Sequence, residues 1–296
     1  MMIGVSKWAL LPSLYMLWFL IMLIILLVQA KSSCHVEELW WPFISHLGTR
    51  DPEDKVFTAT FSISGLLAMT TMIIAYKFFD SCNPKDSSRT NKIGLFIGLA
   101  GAFFKLMVGG YSVYTAPSLH FICAGLAFFL GTVYCNIMTV VTKRYIQQNL
   151  NTKCSWVYYF RLTLCIMLGI GFIIGFSLHN ITSQMPEFWE APEIDLRSLG
   201  RPECSQFADE LEQESSKVWA PRIHSQEYLT LTFIGSITEW VMGLGFISYL
   251  GSFAIEFARI KKLDMIVECH DLEEKFSSID QPSWSAIHKP TELPNL

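Results

Sequence analysis

Six apolar runs, each about twenty residues long, decide what this chain can become. They cover residues 8–29, 56–79, 93–114, 119–142, 156–178 and 229–257. The hydrocarbon core of a bilayer is about 30 Å thick, and roughly 20 helical residues cross it. Lipid offers no partner to a backbone N–H or C=O, so each run must satisfy its own polar groups as a helix. The expected fold is an all-α, polytopic bundle of six transmembrane helices. Composition agrees: charged residues are 16% of the chain and hydrophobic ones 51%, where a soluble domain carries about 25% charged residues. A net charge of -4 gives nucleic acid nothing to bind.

The first run ends in Val28-Gln29-Ala30, which has the look of a signal-peptidase site. Its apolar stretch exceeds the roughly 7–15 residues of a signal h-region, so an uncleaved anchor is the expectation.

Lys and Arg close to span ends face the cytosol. Lys77, Lys85, Arg89 and Lys92 flank the second connection, Lys143, Arg144 and Lys153 the fourth. Lys7 precedes the first span, and Arg259, Lys261 and Lys262 follow the last. Six spans put all of these on one side, so both termini are expected in the cytosol. The other side receives residues 31–55, a short turn at 116–118, and a long loop at 180–227, acidic from Glu187 to Glu214. That loop could hold a short helix over 205–217. Residues 1–262 read as one membrane domain and 263–296 as a partly disordered cytosolic tail whose first part could extend the last helix to about residue 276.

Eight cysteines show no C-x-x-C spacing. Cys123, Cys135 and Cys165 fall inside spans as packing residues. Cys82, Cys154 and Cys269 fall on the cytosolic side, the first two near enough to the membrane for acylation. Cys34 and Cys204 lie on the outer side and could pair as a disulfide. Asn180-Ile181-Thr182 is a glycosylation sequon set against the membrane.

An ionisable side chain deep in a span is a functional-site hypothesis by default. Lys105 and Glu239 are the two here. Each lies on a stripe of small residues, Gly94, Gly98, Gly101, Gly109 and Ser112 in one case, Gly235 and Gly243 in the other. Their depths agree to within about one helical turn, which raises an ion pair between them; the alternative is a snorkelling lysine and a separately bonded carboxyl. His120 completes the polar set, on a face with Ala124, Ala127, Gly131 and Tyr134. Arg161 opens the fifth span within reach of cytosolic phosphates, though a structural role is the first expectation for both His120 and Arg161, and Glu256 sits at the cytosolic rim. There is no P-loop, H-E-x-x-H or G-x-S-x-G, so the sequence assigns no catalytic residue, metal ligand or cofactor.

The first outer connection reads Pro42-Phe43-Ile44-Ser45-His46-Leu47-Gly48-Thr49, then Pro52-Glu53. This resembles the damage-regulated autophagy modulator (DRAM) family, within the wider Frag/DRAM/Sfk group of six-span proteins. His120, Gly131 and Tyr134 in the fourth span, Arg161 in the fifth, and Glu239-Trp240, Gly245-Phe246 and Phe253 in the sixth extend the resemblance. The long 180–227 loop and Lys105 depart from the family pattern. The resemblance implies a non-enzymatic regulator of lysosomal or endosomal membranes that works through lipid or protein contacts. Its other branches imply alternatives: a plasma-membrane organiser of phosphoinositide 4-kinase signalling or lipid asymmetry, a Golgi factor remodelling GPI-anchor lipids, or a channel or transporter component. The expected partners are membrane lipids and an unidentified cytosolic or membrane protein. The 42–53 connection is expected to pack over the bundle and fix its outer face.

Overall fold

The computed structural model describes residues 6–33, 35–36, 41–82, 88–113, 116–148, 155–185 and 226–260. Among these, six helices are long and apolar enough to cross a membrane. They are α1 (Leu10–Ser32), α2 (Glu53–Cys82), α3 (Ser88–Gly110), α4 (Pro117–Gln148), α5 (Ser155–Thr182) and α6 (Gln226–Gly251). A short α7 (Ala254–Phe257) follows α6, and single 3-10 turns precede α1 (Lys7–Ala9) and α2 (Ile44–Gly48).

Each helix packs on its neighbours in sequence, and α6 returns to α1, so the six close into a ring. The Lys7–Ala9 turn packs on α7, which brings the two ends of the described chain to one end of the bundle. Lys77, Arg89, Lys92, Lys143, Arg144 and Arg259 share that basic end. The 41–52 connection sits at the other, as a plug.

Both faces of α1 are apolar, because one meets lipid and the other protein. Leu10, Leu14, Leu17, Ile21, Ile24 and Val28 point outward, while Tyr15, Phe19, Leu23, Leu26 and Ala30 are buried. The Trp18 indole N–H also donates to the Thr60 carbonyl of α2 at 3.4 Å. The first span is therefore built into the bundle.

Three departures of the helix boundaries from the apolar runs are informative. α4 continues past residue 142 to Gln148, because a helix does not stop where lipid stops. α3 ends at Gly110 rather than near 114, where consecutive glycines make continuation costly. The sixth span is not continuous: α6 stops at Gly251 and α7 restarts at Ala254. The Ser252 hydroxyl there donates to the Tyr249 carbonyl at 2.6 Å.

Glycines set the closest approaches. A Cβ on Gly101 of α3 would lie 3.2 Å from the Gly131 backbone nitrogen of α4, and one on Gly98 would lie 2.5 Å from the Tyr134 ring. Small residues let membrane helices pack backbone to backbone, and the α3 stripe is spent on α4 and α2 in this way. Cys123, Cys135 and Cys165 are buried packing residues. Cys34, Cys154, Cys204, Cys269, the 205–217 helix and the tail lie outside the described residues.

Candidate functional site

The plug is seated on α6. The small-residue stripe of that helix receives the plug's side chains rather than another helix: Phe43 faces Gly235, and Ile44 faces Gly243, where an added Cβ would meet it at 3.1 Å. The Glu239 carboxylate lies between these glycines and accepts the Ile44 backbone N–H at 2.8 Å. The amide and hydroxyl of Ser45 lie beside the same carboxylate. One residue on, the Trp240 indole N–H donates to the Pro42 carbonyl at 2.8 Å, and its ring meets Trp41 edge-on at 5.5 Å. Glu239 lies roughly 20 Å along α6 from Gln226, so the plug reaches well into the bundle.

Other polar groups tie the same end together. Glu53, buried at the start of α2, meets the His35 imidazole at 2.9 Å. The Thr58 hydroxyl donates to the Gly109 carbonyl at 2.6 Å. The buried His120 ring places Nδ1 2.6 Å from the Tyr111 carbonyl. Gly48 has no room for a side chain, because Phe57 lies against its Cα.

Of the two arrangements left open for Lys105 and Glu239, the direct ion pair does not form and each is bonded separately. Lys105 donates to the Tyr15 hydroxyl at 3.2 Å, and its ammonium lies over the rings of Phe19 at 4.0 Å, Tyr15 at 5.0 Å and Phe61 at 5.8 Å. Equal depth is one coordinate only. α3 and α6 are not neighbours in the ring, so Lys105 points to α1 and α2 while Glu239 points to the plug.

Arg161 has a structural place and not the phosphate contact that was its other reading. It cannot reach headgroup phosphates, because it is fully buried and forms a two-pronged ion pair with Glu256, Nη1–Oε1 2.8 Å and Nη2–Oε2 2.9 Å. Its Nε donates to the Ser252 hydroxyl at 2.8 Å and Nη1 to the Thr142 hydroxyl at 2.7 Å. The guanidinium carbon lies 4.2 Å from the Phe253 ring centroid. The break at 252–253 lets α7 turn Glu256 inward. α4, α5 and the α6–α7 junction are thus clamped at the basic end, as the plug clamps the other. Tyr249 extends the cluster, its hydroxyl 2.9 Å from Thr139 and donating to the Cys135 carbonyl at 2.7 Å.

The Frag1/DRAM/Sfk1/Cwh43P N-terminal domain matches residues 7–260, which includes both clamps. The chain belongs to this family. It is 25% identical to DNA damage-regulated autophagy modulator protein 2 of Bos taurus over 84% of each chain. It is 27% identical to DNA damage-regulated autophagy modulator protein 1 of Homo sapiens, over 85% of this chain and 92% of that one. Transmembrane protein 150A of Xenopus laevis is 26% identical over 49% of this chain and 51% of its own. No solved structure matches. The chain is therefore a six-span membrane protein of the DRAM type.

The family motif acquires physical meaning in the plug: Pro42 supplies a carbonyl to Trp240, Ile44 supplies a donor to Glu239 with Ser45 beside it, Gly48 admits Phe57, and Pro52 leads into the buried Glu53. Within the spans, Gly131 admits the Phe246 ring and Gly245 admits Leu168. Asn180 is exposed in the last turn of α5, its amide turned back to the Phe176 carbonyl at 3.0 Å. Sequence reasoning considered Arg161 and Glu256 singly and missed their pairing. The available signal was two opposite charges near the same end of antiparallel spans.

Proposed function

We propose that this protein is a non-enzymatic DRAM-type regulator of a lysosomal or endosomal membrane, acting through lipid or protein contacts, with both termini in the cytosol. The observation that carries this reading is the family match across the whole bundle, joined to the way the deep charges are used. Arg161 and Glu256 bind each other, Glu239 binds the plug, and Lys105 rests on aromatic rings. A proton or ion relay needs ionisable groups within reach of one another, and here the charges hold helices together instead. Two of the relatives named above carry the name modulator, which supports regulation over catalysis. The cytosolic orientation rests on the clustering of Lys77, Lys92, Lys143, Arg144 and Arg259 at one end.

Imaging the tagged full-length chain with lysosomal, surface and Golgi markers tests the compartment. Autophagic flux measured after its loss tests the role. Lysosomal signal with altered flux is the expected result; surface or Golgi signal with unchanged flux overturns the reading. Impermeant thiol labelling of cysteines placed at Lys77 or Lys143 tests the orientation, and labelling from outside the cytosol overturns it.

A further inference from the structure

Asn136 faces lipid with half of its amide unpaired. It is exposed on the outer face of α4, roughly 9 Å along the helix from Thr142, where the apolar run ends. Its Nδ2 donates to the Thr132 carbonyl one turn back at 2.9 Å; the flipped amide would set two oxygens against each other. A primary amide has two N–H donors and a carbonyl oxygen, so one donor and the acceptor are left without a partner among the described residues. By contrast, the exposed hydroxyls of Thr70 and Thr163 donate to carbonyls of their own helices at 2.9 and 3.0 Å. Open amide groups are costly in hydrocarbon, and a side chain as short as asparagine cannot reach back to the headgroups.

Asn136 also stands inside a heptad pattern. Ile122, Phe129, Asn136 and Lys143 recur every seven residues, and Val133 and Val140 follow Phe129 and Asn136 by four. All of these are exposed apart from the half-buried Val133, so the stripe lies on the outer face of α4. This is the spacing of a coiled-coil seam, in which one asparagine among apolar side chains fixes register and the number of helices that associate. The apolar members alone would suit lipid. Asn136 does not.

We infer that this face of α4 is a dimer interface, docking on α4 of a second copy of the chain with the two Asn136 amides bonded to each other. Two copies inserted the same way round are related by a two-fold axis along the membrane normal. Such an axis sets each residue beside it opposite its own twin, at equal depth. Asn136 thus meets Asn136, and each spare N–H finds the other's spare carbonyl oxygen. Acyl chains offer neither donor nor acceptor, and the single hydroxyl of a sterol stays at headgroup level. Lys143, one heptad further on, is turned aside with its ammonium 5.9 Å from the Tyr158 ring of α5, which keeps like charges off the axis. Interhelical side-chain hydrogen bonds then add to the packing that associates helices in lipid. The dimer depends neither on the compartment nor on which end of the bundle faces the cytosol.

The test is energy transfer between donor- and acceptor-labelled copies of the full-length protein in phosphatidylcholine liposomes, followed as the protein is diluted in lipid. The expected result is one-to-one association of the wild type, weakened about tenfold by Asn136→Leu and largely kept by Asn136→Gln, which retains the amide. Asn136 is exposed, so Asn136→Leu should fold, and monodispersity in detergent checks this. On oxidation, Val140→Cys should give a disulfide-linked dimer above the wild-type background, and Ile73→Cys, exposed on α2, should not. Cross-linking alone decides if Asn136→Leu does not fold. Transfer no greater than for copies placed at random overturns the dimer. So does association that Asn136→Leu leaves unchanged, or cross-linking that favours position 73 over 140. A monomer whose Asn136 face is labelled by a photoreactive sterol also overturns it and makes lipid the occupant.

Discussion

The Glu239 carboxylate accepts the backbone amide of Ile44 at 2.8 Å, across 195 positions of sequence. This bond joins the family's loop motif to its last span, and it makes the plug part of the bundle. Hydrogen bonds to a charged group contribute about 1.5–3 kcal/mol. Glu239→Leu should therefore destabilise the protein by about that amount and loosen residues 42–50. Glu239→Gln, which keeps an acceptor, should cost less. Thermal unfolding in detergent measures both, and a leucine variant as stable as the wild type would contradict the assignment.

The second prediction concerns the clamp at the basic end. Removing one member of a buried ion pair leaves the other uncompensated and costs about 3–5 kcal/mol. Arg161→Met or Glu256→Leu alone should reach that range, since the side chains are 0% and 6% exposed. The double variant Arg161→Met/Glu256→Leu should recover most of the loss, because no charge is then stranded. Denaturant titration of all four proteins gives the coupling. Additive losses would mean that the two residues do not act as a pair.

Lys105 and Glu239 should behave independently. Cation–π contacts contribute about 0.5–2 kcal/mol when partly desolvated, so Lys105→Met should cost about that much. Combined with Glu239→Gln, the effects should add to within about 0.5 kcal/mol. A larger coupling energy would restore the direct ion pair that depth alone suggests.

Glycines predict a sharp contrast. Gly101→Leu should prevent folding, since even a Cβ there meets the Gly131 backbone at 3.2 Å. Gly125→Ala, which has nothing within 4 Å of the added carbon, should leave stability within about 0.5 kcal/mol of the wild type. Expression and monodispersity by fluorescence-detected size exclusion report both.

Much of the architecture was legible in advance because lipid imposes a simple rule. An uninterrupted apolar run about twenty residues long must be a helix, so six spans followed from hydropathy and the basic connections followed one side of the ring. The breaks that hydropathy missed, at Gly110 and at 251–253, lie in apolar sequence whose average is unchanged by a glycine or serine. The small-residue stripe of α6 was visible too, but not what fills it, since a stripe says that something approaches closely and not whether it is helix or loop.

Sequence by itself determined the number of spans, the shared side of their basic connections and which residues are too polar to face lipid. Tertiary structure alone decided who meets whom. Spacing along a helix specifies depth and face, whereas a partner also depends on the order of helices around the ring. That order set Lys105 on Tyr15 and Phe19, Glu239 on Ile44, and Arg161 on Glu256.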